Sequence, residues 1–508
     1  MITITNPIQK GFYPDPSICR VGEEFYMVHS TFAYAPGIPV FKSNNLRDWE
    51  QIGHVLEREE QLCLNGAKVS QGIYAPTIRY FNGLFYVITT NVSGGGNFYV
   101  TAETANGPWS DPIYLENAPG IDPSLFFDDE TCYYVGQRAK ENEAYYGDCE
   151  IWIQELDIRE GKLLGKPVSV FDGSMKHTIW AEGPHVYRKD DFYYLMLAEG
   201  GTAFHHSVAV ARSRSVFGPY ESCPHNPILT HRHLGHGYPI QNIGHGDLVE
   251  SPSGDWFMVM LGTRPKNGCA ELGRETFLAK IEWEEDWPVV NPMVGTVMEQ
   301  QKMKFLPGCD RAKPAARGDI LWTSPLDMRC LGLRGNPDML PLKIEQGKLY
   351  LPFKTVTIED LSVPSFICTR LLSRSFEAWV EIDADLMEGE EAGLIYFYDE
   401  NHYVKAVIKN RAGSLEAVMI KRTGDEVSEW GNPVISGSLH TIYLKGEDQR
   451  LLGEADQTVL VDSLELKELC SEMAGGFTGC TIGVYAASER GESERMASFG
   501  TLYLDFMD

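Results

Sequence analysis

What most constrains the fold of this chain is a short pattern that begins at Asp15-Pro16-Ser17-Ile18 and returns four times. In the first copy a charged turn around Gly22 to Glu24 leads into Phe25-Tyr26-Met27-Val28. The second copy runs Ala75-Pro76-Thr77-Ile78, Asn82-Gly83, Phe85-Tyr86-Val87-Ile88, and the third runs Asp122-Pro123-Ser124-Leu125, Asp128 to Glu130, Cys132-Tyr133-Tyr134-Val135. The fourth is Gly183-Pro184-His185-Val186, Lys189 to Asp191, Phe192-Tyr193-Tyr194-Leu195; the last is Gly246-Asp247-Leu248-Val249, Pro252 to Gly254, Trp256-Phe257-Met258-Val259. Each copy reads as strand, polar turn, strand, which is a β-hairpin. Recurrence every ~45 to 65 residues marks a repeat architecture.

Further short strands fall between the copies, at Gly96 to Ala102 and Glu150 to Leu156, and no long amphipathic helix interrupts them. The sequence therefore predicts an all-β fold: a five-bladed β-propeller, with the first strand of each blade lining a central axis. From Asn291 the pattern dissolves into Asn-Pro, Gln-rich and Pro-Gly segments. The expected division is a propeller over 1–297, a linker over 298–318 and a second domain over 319–508. In that second domain, strands are expected at Lys348 to Phe353, Phe376 to Ile382, Gly393 to Tyr398, Tyr403 to Lys409, Ser414 to Lys421 and Thr441 to Lys445. Their regular spacing predicts a β-sandwich of two antiparallel sheets.

Composition narrows the partners. A formal net charge of −27 argues against nucleic acid and against an anionic membrane surface, both of which reward Lys and Arg. No apolar run is long enough to span a bilayer, and the start lacks a basic region followed by an apolar one, so the expected location is the cytoplasm. The 11 cysteines follow neither CxxC nor zinc-like spacing and read as buried thiols in a reducing compartment. A homo-oligomer is compatible with all of this.

In a propeller, the residues that begin the innermost strands converge at one end of the axis. Here they are Asp15, Ala75, Asp122, Gly183 preceded by Glu182, and Gly246 flanked by His245 and Asp247. Three blades thus bring carboxylates to one funnel, where crowding and desolvation drive pKa values apart. An acid and a base in one pocket are what acetal hydrolysis requires. Taken singly, Asp15 or Asp122 reads better as a turn cap, Glu182 as a loop carboxylate and His245 as a satisfied core histidine. Equivalent positions in a repeat favour the functional reading.

The aromatics Phe32, Tyr34, Tyr74 and Trp180 lie near these starts and are suited to stacking on sugar rings, or to core packing. His231-Arg232-His233 with His236 reads as a solvated or substrate-facing segment rather than a metal site. Gly94-Gly95-Gly96 reads as a flexible turn, since no Lys-Ser/Thr follows it.

Six ordered segments, Asn6-Pro7-Ile8 through Phe12-Tyr13-Pro14-Asp15-Pro16-Ser17, Tyr74-Ala75-Pro76-Thr77-Ile78-Arg79, Gly120-Ile121-Asp122-Pro123-Ser124, Ala181-Glu182-Gly183-Pro184-His185, Gly244-His245-Gly246-Asp247 and Leu272-Gly273-Arg274-Glu275-Thr276-Phe277, resemble glycoside hydrolase family 43. The closer likeness is to its β-xylosidases and α-L-arabinofuranosidases that carry a C-terminal, concanavalin-like β-sandwich. The resemblance implies hydrolysis with inversion, with Asp15 as general base, Glu182 as general acid, and Asp122 tuning and orienting the acid. It further implies that Arg274 bonds sugar hydroxyls, that Phe32 and Tyr74 line the sugar pocket, and that His245 lies near the axis beside the sugar or a bound calcium. In relatives the second domain can lend a loop that narrows the pocket and limits attack to chain ends.

Inversion needs room for a water, which sets the expected separation of the two carboxyl groups at ~6.5 to 9.5 Å. The resulting expectation is an exo-acting enzyme that releases xylose from short oligosaccharides and requires no cofactor, with the binding of calcium left open. Arabinofuranoside cleavage, and a propeller lectin that binds sugar without cleaving it, stand as the alternatives.

Overall fold

The computed structural model describes residues 2–303, 318–383, 385–491 and 494–507. Five four-stranded antiparallel sheets follow one another along the chain, each opened by one of the repeated hairpins, and all but the first are built from consecutive strands. Their innermost strands are Ser17–Val21, Thr77–Phe81, Ser124–Asp128, Glu182–Lys189 and Gln241–Glu250. The hairpin turns take the left-handed conformation at Gly22, Asn82, Gly83, Asp129, Asp190 and Gly254, where Gly, Asn and Asp bear it at least cost.

Ring closure falls to the N-terminal segment. Ile2–Thr5 pairs with Gln300–Met303, and Ile8 donates its N–H to the Thr276 carbonyl of the fifth blade at 2.8 Å. Of the segment expected as a linker, 304–317 lies outside the described residues.

The second domain stacks two sheets over a core that includes Leu349, Phe376, Leu394, Leu444 and Val484. Strands form at all six expected places; in Ser375–Asp383 buried and exposed residues alternate, as a sheet with one wet face requires. One of its two sheets continues into the propeller. Tyr34–Ala35, from the first blade's connection, pairs with Leu331–Leu333 as that sheet's edge strand. Tyr34 is therefore fully buried at the domain joint and is unavailable to stack on a sugar, because its strand pairing draws it into the core shared with Phe12, Leu333 and Phe366. Arg370 ties the same joint, donating from Nε to the Phe12 carbonyl at 2.7 Å and lying 4.4 Å over the Tyr13 ring.

Candidate active site

The starts of the innermost strands meet at one end of the propeller axis, around a cavity of about 80 Å³. Its wall includes Asp15, Asp122 and Glu182 from three blades, Phe32, Tyr74, His245 and Arg274, the seven residues to which the family resemblance gives a role. Asp15, Asp122 and His245 sit in the left-handed region (φ +50°, +52°, +48°), as does Gly183 beside Glu182 (φ +57°). Strained backbone at matched positions turns these side chains off the pleat and toward the axis.

Asp15 is held from three sides. Arg274 Nη1 lies 2.9 Å from Oδ1, Ser30 Oγ donates to Oδ2 at 2.6 Å, and His245 Nδ1 stands 3.6 Å from Oδ1. Burial pushes the Asp15 carboxyl up, but Arg274, His245 and Ser30 outweigh it and hold the group below its ordinary value. Among the described residues, no hydrogen bond or ion pair holds the Glu182 carboxyl in this way, and the Arg274 charge lowers it only in part. Burial, then the charges of Asp122 and Asp15, raise its carboxyl well above the ordinary value. Asp122 is pushed up to about 6, chiefly by burial, and accepts a hydrogen bond from the Gly183 N–H, which places it next to Glu182. One cavity thus pairs a carboxyl group shifted toward its ionised form with one shifted toward its protonated form, the division of labour that acid–base catalysis needs.

Phe32 and Phe477 stack at 6.1 Å and 21°, with Tyr74 set at 76° to Phe477, so three rings make an apolar wall. Phe477 comes from the sandwich domain. Its N–H donates to Ser70 Oγ at 3.0 Å, and its carbonyl accepts from Arg274 Nη2 at 3.3 Å. Behind it the two domains meet backbone to backbone: Cys480 N–H donates to the Glu271 carbonyl at 2.8 Å. Gly479 makes this possible, since a Cβ there would lie 2.5 Å from the Leu272 carbonyl oxygen. Thr202, Arg274 and Phe477 also border an outer cavity of about 380 Å³, which leads away toward Phe204 and His236.

The floor of the inner cavity is closed. Ser17, Arg79, His185 and Asp247 lie two or more residues further along the innermost strands, hence ~6 Å or more down the axis. Arg79 pairs with Asp247 at 2.9 Å, and Asp247 also accepts from Ser17 Oγ at 2.6 Å and Tyr187 OH at 2.5 Å. Asp247 therefore serves this plug and does not join Asp15, Asp122 and Glu182 in the cavity wall.

Two other sequence candidates fall elsewhere. Trp180 packs on Gly147 and Gly201, outside the residues that wall the cavity. His231 is buried in the protein, its Nδ1 against the Ile240 carbonyl at 2.7 Å and its Nε2 accepting from Val297 N–H at 3.0 Å; its 3-10 turn tucks it inward. His233 is exposed, and His236 faces the outer cavity, stacked on Phe204 at 3.7 Å. Sequence reasoning passed over Ile121, Thr202, His206 and Phe477, all in the inner wall. For Phe477 the signal was present in the flanking glycines of Gly475-Gly476-Phe477-Thr478-Gly479. Among the described residues, no three His, Cys, Asp or Glu side chains are placed to hold a metal ion.

Residues 4–288 match the model of glycosyl hydrolases family 43, and residues 326–504 match that of the β-xylosidase C-terminal concanavalin A-like domain. Among curated proteins, a xylosidase/arabinosidase of Butyrivibrio fibrisolvens is 44% identical over 98% of both chains. A non-reducing end α-L-arabinofuranosidase of Bacteroides ovatus is 36% identical over 98% of this chain and 94% of its own. Among solved structures, xylan β-1,4-xylosidase from Bacillus halodurans superposes with a TM-score of 0.90 at 29% identity, covering 99% of this chain and 100% of the other.

Proposed function

The chain belongs to glycoside hydrolase family 43 and hydrolyses O-glycosyl bonds, and from that premise we propose an inverting, exo-acting enzyme that removes terminal β-D-xylosyl residues from short xylo-oligosaccharides. One observation carries the reading: Asp15 and Glu182 wall one small cavity, and their surroundings shift the two carboxyl groups in opposite directions. Asp15 takes the proton of a water that attacks the anomeric carbon. Glu182 gives its proton to the departing oxygen, and the ionised Asp122 keeps that proton in place beforehand. Arg274 fixes Asp15 and bonds glycone hydroxyls, while Phe32, Tyr74 and Phe477 cover the apolar faces of the sugar. A floor plugged by Arg79 and Asp247 supports attack on a terminal residue rather than along a chain.

Names of relatives include both xylosidase and arabinofuranosidase, so release of α-L-arabinofuranosyl residues is the second reading. Initial rates on 4-nitrophenyl β-D-xylopyranoside and α-L-arabinofuranoside decide between them. Proton NMR of the first product formed decides the stereochemistry: α-xylose from the β-xyloside is expected, and β-xylose overturns inversion. A protein that binds xylobiose but cleaves neither glycoside is a lectin and ends the catalytic reading.

Calcium takes roughly six to eight oxygen ligands, and the carboxylate oxygen 3.6 Å from His245 already answers the Arg274 cation. The donor set does not fit, and no step is routed through a metal. Chelation with EDTA is expected to leave kcat/KM unchanged; a loss restored by added calcium overturns this. We read the chain as cytoplasmic, a location supported by ten free cysteines among the described residues, nine of them buried.

A further inference from the structure

The acid–base pair leaves one buried, polar group of the cavity wall without a task. His206 precedes the third strand of the fourth blade, Ser207–Ser213, and is 1% exposed. Its Nδ1 stands 2.9 Å from the carbonyl oxygen of Asn242. A carbonyl only accepts, so Nδ1 carries the ring proton and Nε2 carries the lone pair. Burial pushes the ring pKa down to about 3, so the histidine is neutral wherever the enzyme works. No donor among the described residues reaches Nε2.

The fifth blade is shaped to hold this ring. Its innermost strand changes register between Gln241 and Gly244, and Asn242 takes φ +58°. At Gly244, a Cβ would sit 2.4 Å from both Cε1 and Nε2 of His206. Any larger residue at 244 displaces the imidazole from the cavity wall.

We propose that His206 determines specificity: its Nε2 is the neutral acceptor that receives a hydrogen bond from one hydroxyl of the bound glycone. This rests on the pentosidase reading above. Three ionisable carboxyl groups and a guanidinium already set the protonation of this pocket, and a further charged group would disturb it. A neutral acceptor recognises a hydroxyl without shifting the acid or the base. It also rejects a sugar that lacks the hydroxyl, because Nε2 is then left desolvated and unpaired.

The test uses His206→Phe, which keeps a ring over Gly244 and removes the acceptor, and His206→Gln, which restores one. Values of kcat/KM are measured on 4-nitrophenyl β-D-xylopyranoside and on its 2-, 3- and 4-deoxy analogues, with the arabinofuranoside alongside. His206→Phe is expected to lose about tenfold on the parent xyloside, and nothing further on the one analogue whose missing hydroxyl is the donor. Both limbs of its pH–rate profile are expected to stay at their wild-type positions, and His206→Gln is expected to recover part of the loss. The comparison is made between substrates within one variant, so it does not depend on the fraction folded. An equal penalty on every analogue overturns the proposal and reduces His206 to packing. Wild-type protein inactive on both pentosides overturns the functional reading instead.

Discussion

At the scale of single residues, the site works by setting identical chemical groups to different states. Glu182→Gln is expected to lower kcat about 10²- to 10⁴-fold on xylobiose. The loss should shrink on a dinitrophenyl xyloside, whose leaving group needs no proton. Asp15→Asn should cost a similar factor on both substrates, and steady-state rates with the two leaving groups separate the roles. The proposed roles require Asp15 ionised and Glu182 protonated, so the acid limb of the pH profile is expected below the ordinary carboxylate range and the alkaline limb above it. Since the Asp122 charge helps to raise Glu182, Asp122→Asn should move the alkaline limb to lower pH; an unmoved limb refutes that coupling. The same shift affects stability. Glu182 has a folded-state pKa raised from 4.5, so its contribution is fully present below that value and is lost as pH rises through the folded-state value. The melting temperature of Glu182→Gln relative to wild type should therefore climb with pH from about 4.5 upward. A difference that stays flat over pH 4 to 8 removes the burial argument.

At the scale of elements, the hairpins were legible because strand alternation and turn chemistry are local. Each repeat carried its own turn residue, from Gly22 to Gly254, and the structure places a left-handed turn at each. Two elements were not legible. Tyr34–Ala35 is a two-residue strand, too short for any periodicity, and it exists only because Leu331–Leu333 offers it an edge. The Phe477 loop carries no strand periodicity of its own; its place in the candidate site follows from the close approach of Gly479 to Leu272. Gly479→Ala puts a methyl against backbone that cannot move cheaply. It should cost about 1–3 kcal/mol of stability and shift Phe477, raising KM several-fold more than it lowers kcat. Thermal melts and Michaelis curves measure the two effects, and an unchanged KM separates the loop from substrate binding.

For the whole molecule, the sandwich is part of the candidate site. It supplies Phe477 to the pocket, holds Arg274 through the Phe477 carbonyl and shares an apolar core with Phe12, Phe32 and Tyr34. The propeller expressed alone as residues 1–303 exposes that core, and is expected to aggregate or to bind an apolar dye while losing activity. Phe477→Ala in the full chain separates the pocket from the joint. Phe477 is 38% exposed, so its removal should raise KM about tenfold with little change in melting temperature. A soluble, fully active propeller fragment refutes the shared site.

By itself the sequence determined the repeat, the all-β architecture and the three carboxylates, because each blade writes its strand, its turn and the residue at its axial end in one short stretch. Only the tertiary structure decided that Glu182 is shifted toward its protonated form and Asp15 toward its ionised form. That difference comes from burial and from Arg274, which is 259 residues away from Asp15 in sequence and 2.9 Å away in space. The same holds for Phe477 and His206: their roles depend on which backbone another element brings close, and separation along the chain carries no record of it.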